Sequence, residues 1–149
     1  METQKTINIR LLSITGEQVI NGIGKKDLSG LNEDNLVYQF KNETAVNLSD
    51  DLVTINSGIR YVYNQNELFQ VQVSVAYKVL GIKEFVEQDE EKNTITLAVD
   101  FLPTLIAAAV GVIRGILFKE TKGTVLEKYP LPLLPINLLM EKNTITVEN

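Results

Sequence analysis

The sequence predicts an α+β fold, and three observations point to it. Residues 36 to 78 are rich in Val, Ile, Tyr, Phe and Thr, alternate polar with apolar positions and contain no proline, as long antiparallel strands do. Residues 102 to 118 form a long apolar run with Pro103 at its start and Gly123 beyond its end, the ordinary start and stop signals of a helix. At 149 residues, 44% hydrophobic and 22% charged, the chain has the size and composition of one globular domain spanning residues 1–149.

The first strand is expected where Ile7, Ile9 and Leu11 alternate with Asn8 and Arg10, continuing through Ile14. A turn-rich stretch, Asn21-Gly22-Ile23-Gly24, follows. Its Gly-x-Gly lacks the Gly-Lys-Ser/Thr ending of a phosphate loop, so it reads as a plain turn. These opening residues also lack the basic start and apolar stretch of a secretory signal, so a cytoplasmic address is expected.

Further along, Asn64-Gln65-Asn66-Glu67 separates two β-rich runs and predicts a hairpin. In the second run Phe69, Val71, Val73, Val75, Tyr77 and Val79 share one face, which is expected to be buried. Gln70, Gln72, Ser74, Ala76 and Lys78 share the other, expected to be wet or covered by a partner. Residues 81 to 92 carry Glu84, Glu87, Asp89, Glu90 and Glu91 and read as a short frayed helix or an acidic loop with a solvated face. Lys92-Asn93-Thr94-Ile95-Thr96 recurs as Lys142-Asn143-Thr144-Ile145-Thr146, and a glutamate precedes both copies. That echo is too short to signal a repeat architecture.

The helix carries Ala107, Gly111 and Gly115 at four-residue spacing, one stripe on which missing side chains let another backbone approach. Glycine inside a helix costs roughly 0.5–1 kcal/mol relative to alanine, so two on one stripe ask for a packing reason. The stripe lies either on the chain's own sheet or against a second subunit. With Pro103, two glycines and Arg114, the segment is expected to be a packed helix and not a membrane span. Beyond it, Tyr129-Pro130-Leu131-Pro132-Leu133-Leu134-Pro135 lacks three amide donors and predicts an extended apolar strap.

Composition excludes several chemistries. Without cysteine or histidine there are no disulfides, no thiolate or imidazole catalysis and no Cys/His zinc site, so no metal or cofactor is expected. A net charge of −5, with only Lys25-Lys26 as a basic pair, argues against nucleic acid as a partner.

In its second half the sequence resembles the SecB family of export chaperones. Leu102-Pro103 opens the helix, Lys122-Gly123-Thr124 closes it, and Pro132-Leu133-Leu134-Pro135-Ile136-Asn137-Leu138-Leu139-Met140 is similar to the family's proline-rich segment; Ile7-Asn8-Ile9-Arg10 resembles its first strand. The resemblance implies a four-stranded antiparallel sheet backed by one long helix, and assembly into a homodimer or homotetramer with helices in the interface. It implies unfolded polypeptide clients, either preproteins delivered to an export ATPase or antitoxins, bound in apolar grooves with no cofactor and no membrane insertion.

On this reading the chain is a noncatalytic chaperone. The groove is expected to draw on Tyr61, Tyr63, Phe69, Tyr129, Leu131, Leu133 and Leu134, and the oligomer interface on Ala107, Gly111 and Gly115. The alternative is an oligomeric adaptor that keeps the fold but binds one dedicated partner. An enzyme would have to work with carboxylates alone, for which Asp50 and Asp51 are the nearest pair.

Overall fold

The computed structural model describes residues 7–18, 28–89, 94–97, 101–141 and 143–148. The turn at Asn21-Gly22-Ile23-Gly24, Lys25, Lys26 and the acids Glu90 and Glu91 lie outside the described residues. In chain order the elements are β1 (Ile9–Gln18), β2 (Val37–Asn47), β3 (Leu52–Tyr63), β4 (Asn66–Val79), β5 (Val86–Asp89), β6 (Thr94–Leu97), α1 (Leu102–Glu120), α2 (Ile136–Glu141) and β7 (Asn143–Glu148), with short 3-10 turns at Ile82–Phe85 and Val125–Lys128.

Five strands form the main sheet in the order β1-β4-β3-β2-β7. The first four pair antiparallel, whereas β7 lies parallel to β2. The expected four-stranded antiparallel sheet is therefore corrected to a mixed sheet of five. The physical reason is that β2 would otherwise expose an unpaired edge, and the Asn143–Glu148 segment closes its ladder. A second correction concerns the acidic stretch: its middle is the short strand β5, paired antiparallel with β6 in a separate two-stranded sheet.

The hairpin between β3 and β4 turns on two residues, Asn64 and Gln65, with φ of 48° and 61°. Two successive left-handed residues make the turn whose twist matches the flanking strands. Downstream, every second residue of β4 from Phe69 to Val79 is buried and the intervening ones are not, as the alternation predicts.

α1 lies across that buried face. Its inward residues Leu102, Leu105, Ile106, Ala109, Val110, Ile113 and Leu117 recur at three- and four-residue intervals and pack over β3 and β4. Pro103 occupies its first turn, where a missing amide hydrogen costs nothing. At the far end Thr121 Oγ1 donates to Leu117 O at 2.6 Å, and Gly123 turns the chain with φ of 81°. Thr124 Oγ1 then accepts from Leu126 N at 3.2 Å to start the next 3-10 turn. By length and apolarity α1 would also suffice to cross a membrane, yet one of its faces is part of this core.

Candidate functional site

Three surfaces of this scaffold concern binding: the outer side of α1 with β1, the strap, and the outer face of the sheet. On α1, Ala107, Gly111 and Gly115 point away from the sheet and are exposed. A Cβ added at Gly111 or Gly115 would meet nothing within 4 Å. The stripe is thus not packed on the chain's own sheet, and Phe118 beside it is 74% exposed.

Next to α1 the sheet runs on as β1, which pairs with β4 so that Leu11 sits opposite Tyr77 and Ile14 opposite Val75. Cross-strand partners share a face, so Leu11 and Ile14 are on the helix side. They lie beyond the helix's cover, 52% and 48% exposed, while Leu12 is exposed at a bulge. Helix and strand meet at Gly16, where an added Cβ would stand 3.5 Å from Ile116 Cδ1. The result is an uncovered apolar flank shared by β1 and α1.

The strap is pinned on the opposite flank. Tyr61 donates from its hydroxyl to Tyr129 O at 3.2 Å, Tyr129 donates to Leu31 O at 3.4 Å, and Arg114 donates to Pro132 O at 3.2 Å. Leu131 drops into the core, Leu134 and Tyr129 are half-buried, and Leu133 is 89% exposed. Of the seven groove residues expected from sequence, Tyr61, Tyr63 and Phe69 belong to the core together with Leu131. Tyr61 and Phe69 are at most 1% exposed and have no surface to offer a client in this protomer. Their strand positions put them on the face that α1 and the strap cover. Sequence reasoning names Leu11 and Ile14 as positions of the first strand, yet it places none of Leu11, Leu12, Ile14 and Phe118 in a groove, because alternation along an edge strand does not show which residues stay exposed.

Buried tyrosines give this side of the molecule an alkaline limit. Burial raises the Tyr61 phenol well above its usual range; the Tyr38 ring, edge-on at 4.7 Å, raises it further and Arg114 acts the other way. Tyr38 is also raised, by burial, Glu33 and Tyr129 in that order, and Tyr77 by burial. An acid whose folded pKa exceeds its unfolded value near 10 binds more protons when folded, so stability is kept below pH 10 and lost as pH rises through the folded values. Thermal melts should hold steady up to about pH 9.5 and fall steeply above it, with the phenolate absorbance of Tyr38, Tyr61 and Tyr77 appearing together with unfolding. Phenolate forming fully in the folded protein at pH 10.5 would contradict the burial.

The outer face of the sheet is polar. A concavity of about 800 Å³ is lined by Gln39, Lys41, Asn56, Arg60, Gln72 and Ser74, among others. Arg60 is held there by Gln39 Oε1, to which its Nε donates at 2.8 Å.

The pair Asp50 and Asp51 belongs to the β2–β3 turn. Asp50 Oδ2 accepts from Asn47 Nδ2 at 3.1 Å, and Asp51 Oδ1 accepts from Ile82 N at 3.3 Å. The two carboxylates engage different elements instead of converging on a common point. Among the described residues no group of three or more acidic side chains is placed to hold a metal ion.

No family model and no curated protein matches the chain. Among solved structures it is similar to a SecB-like chaperone, Rv1957 of Mycobacterium tuberculosis, seen in complex with a peptide of the HigA1 antitoxin Rv1956; identity is 11%, 85% of this chain and 86% of that chain are covered, and the TM-score is 0.47. It is also similar to a protein of unknown function from Streptococcus agalactiae, at 12% identity, with 88% and 99% covered and a TM-score of 0.38.

Proposed function

We propose that this chain is a noncatalytic, chaperone-like protein that holds unfolded polypeptide segments on apolar surface. The observation that carries the reading is the β1/α1 flank, where Leu11, Leu12, Ile14 and Phe118 stand exposed beside a continuous packed core. Leu133, presented by the strap on the other side of α1, extends the apolar surface available to an extended client. The residue pattern shared with the SecB family, from Leu102-Pro103 through Lys122-Gly123-Thr124 to the prolines of the strap, supports the same function. Each apolar side chain buried contributes roughly 1.5–3 kcal/mol before ordering costs, so a few such contacts retain a client without reading its sequence.

Assembly is part of the proposal. The stripe Ala107, Gly111, Gly115 offers a smooth ridge to the same ridge of a second copy, in a homodimer or, by repetition, a homotetramer. The client class, preprotein or antitoxin, and delivery to an export ATPase in the cytoplasm stay at the level of the family resemblance. The test is suppression of aggregation of several unrelated reduced, unfolded proteins. Protection of most of them at near-stoichiometric ratios is expected. No protection, or protection of one partner alone, would reject the chaperone reading, and the second result would favour a dedicated adaptor.

A further inference from the structure

The six residues Glu91-Lys92-Asn93-Thr94-Ile95-Thr96 are repeated without change as Glu141-Lys142-Asn143-Thr144-Ile145-Thr146. Each copy runs into a strand: Thr94–Leu97 is β6 and Asn143–Glu148 is β7. The edge on which β7 lies is selective for what the repeat carries. Asn143 Oδ1 accepts from Asn42 Nδ2 at 2.6 Å and from Thr44 Oγ1 at 2.8 Å, while Ser57 Oγ donates to Asn42 Oδ1. Asn42, Thr44 and Ser57 are all buried, so a strand without an acceptor at this position would strand two buried donors.

Beyond that network and Val147, which packs partly against the core, β7 is held by backbone. Thr144, Ile145, Thr146 and Glu148 are exposed, Asn143 Nδ2 is buried without a hydrogen-bond partner, and most of the attachment is the parallel backbone ladder with β2 together with Leu48 N donating to Glu148 O at 2.9 Å. β6 in turn belongs to a separate two-stranded sheet, a marginal arrangement in water.

We infer that the β2 edge is a strand-acceptor site that reads Asn-Thr-Ile-Thr, and that the 91–97 segment of a second copy of this chain takes it when β7 leaves. Shifted by 50 positions, Asn93 takes the place of Asn143 and Thr96 that of Thr146. A second copy is the donor because in its own chain Thr94–Leu97 is paired with β5, between Phe85 and Phe101, which are both buried with ring centroids 6.4 Å apart. The resident strand holds the advantage of a tether: effective concentrations for short linkers are in the millimolar range, so at about 10 µM protein a free donor strand of equal intrinsic affinity takes roughly 1% of sites. A covalent trap accumulates that minority. The inference does not depend on the chaperone reading.

The trap uses the parallel register, in which Ala45 faces Thr146. The chain has no cysteine, so Ala45→Cys and Thr96→Cys variants can be made separately, mixed and oxidised slowly. The expected product is a disulfide between position 45 of one chain and position 96 of the other, identified by mass spectrometry. It should be competed away by excess synthetic Glu-Lys-Asn-Thr-Ile-Thr-Val and lost when Asn93→Ala is added to the donor. Asn143→Ala in the acceptor should raise its rate roughly tenfold, because the resident strand then gives up its two side-chain hydrogen bonds. Should that acceptor fold poorly, the peptide competition on the Ala45→Cys chain alone still decides. Absence of the 45–96 link, or a link indifferent to peptide and to Asn93→Ala, overturns the inference.

Discussion

Phe69→Ala is expected to lower the unfolding free energy by about 3–5 kcal/mol, a large share of what a domain of this size possesses. Phe69 is fully buried on β4 beneath α1, and truncating it leaves a cavity that the strands on either side cannot close. Leu133→Ser should behave in the opposite way. That side chain is in solvent, so the unfolding free energy should change by no more than the usual range for surface substitutions, about 0.5 kcal/mol. The protein needed to hold a client soluble should instead rise roughly tenfold, the cost of withholding one leucine from burial. Denaturant melts and aggregation assays on both variants separate core from contact surface. A Leu133→Ser protein with unaltered protection would remove the strap from the client site, and a Phe69→Ala protein that folds normally yet fails to protect would return Phe69 to it.

The contrast between these two leucine- and phenylalanine-bearing segments marks what the sequence could reveal. Alternation along β4 told which residues share a face, and the Asn64-Gln65 turn and the Pro103 and Gly123 signals located the hairpin and α1, because each rests on local backbone physics. Alternation does not tell which face the helix covers. Tyr61 and Tyr63 are therefore candidates for the groove by sequence, although any one such residue is more often interior, and α1 and the strap place both in the core. The fifth strand escaped for a related reason. Asn143–Glu148 is mostly polar, and its strand character comes from completing the edge of β2 and from one asparagine, not from an apolar face. β5 is hidden by its acids, which are compatible with a short strand once β6 supplies the partner.

Gly111→Leu is expected to convert the assembled protein to single protomers at micromolar concentration, measured by light scattering, and the sign of the smaller change Gly111→Ala shows why. Around Gly111 and Gly115 the isolated protomer has open space, so alanine there fits without contact and gains about 1 kcal/mol of helix propensity per site. A lone protomer would thus be improved by losing its glycines. In the proposed homodimer the same methyl group would stand between two ridges that approach closely only because no side chain intervenes, and the expected result is a weaker complex with a melting temperature that depends more strongly on concentration. Leucine at 111 adds a bulk that no adjustment along the Ala107, Gly111, Gly115 line absorbs, so the ridge can no longer meet its counterpart while α1 still packs inward through Ile106, Ile113 and Leu117. Circular dichroism unchanged with the mass falling to one chain is the predicted outcome. A Gly111→Leu protein with the wild-type mass and a raised melting temperature would show the stripe to be bare helix surface, and would take the proposed homodimer with it.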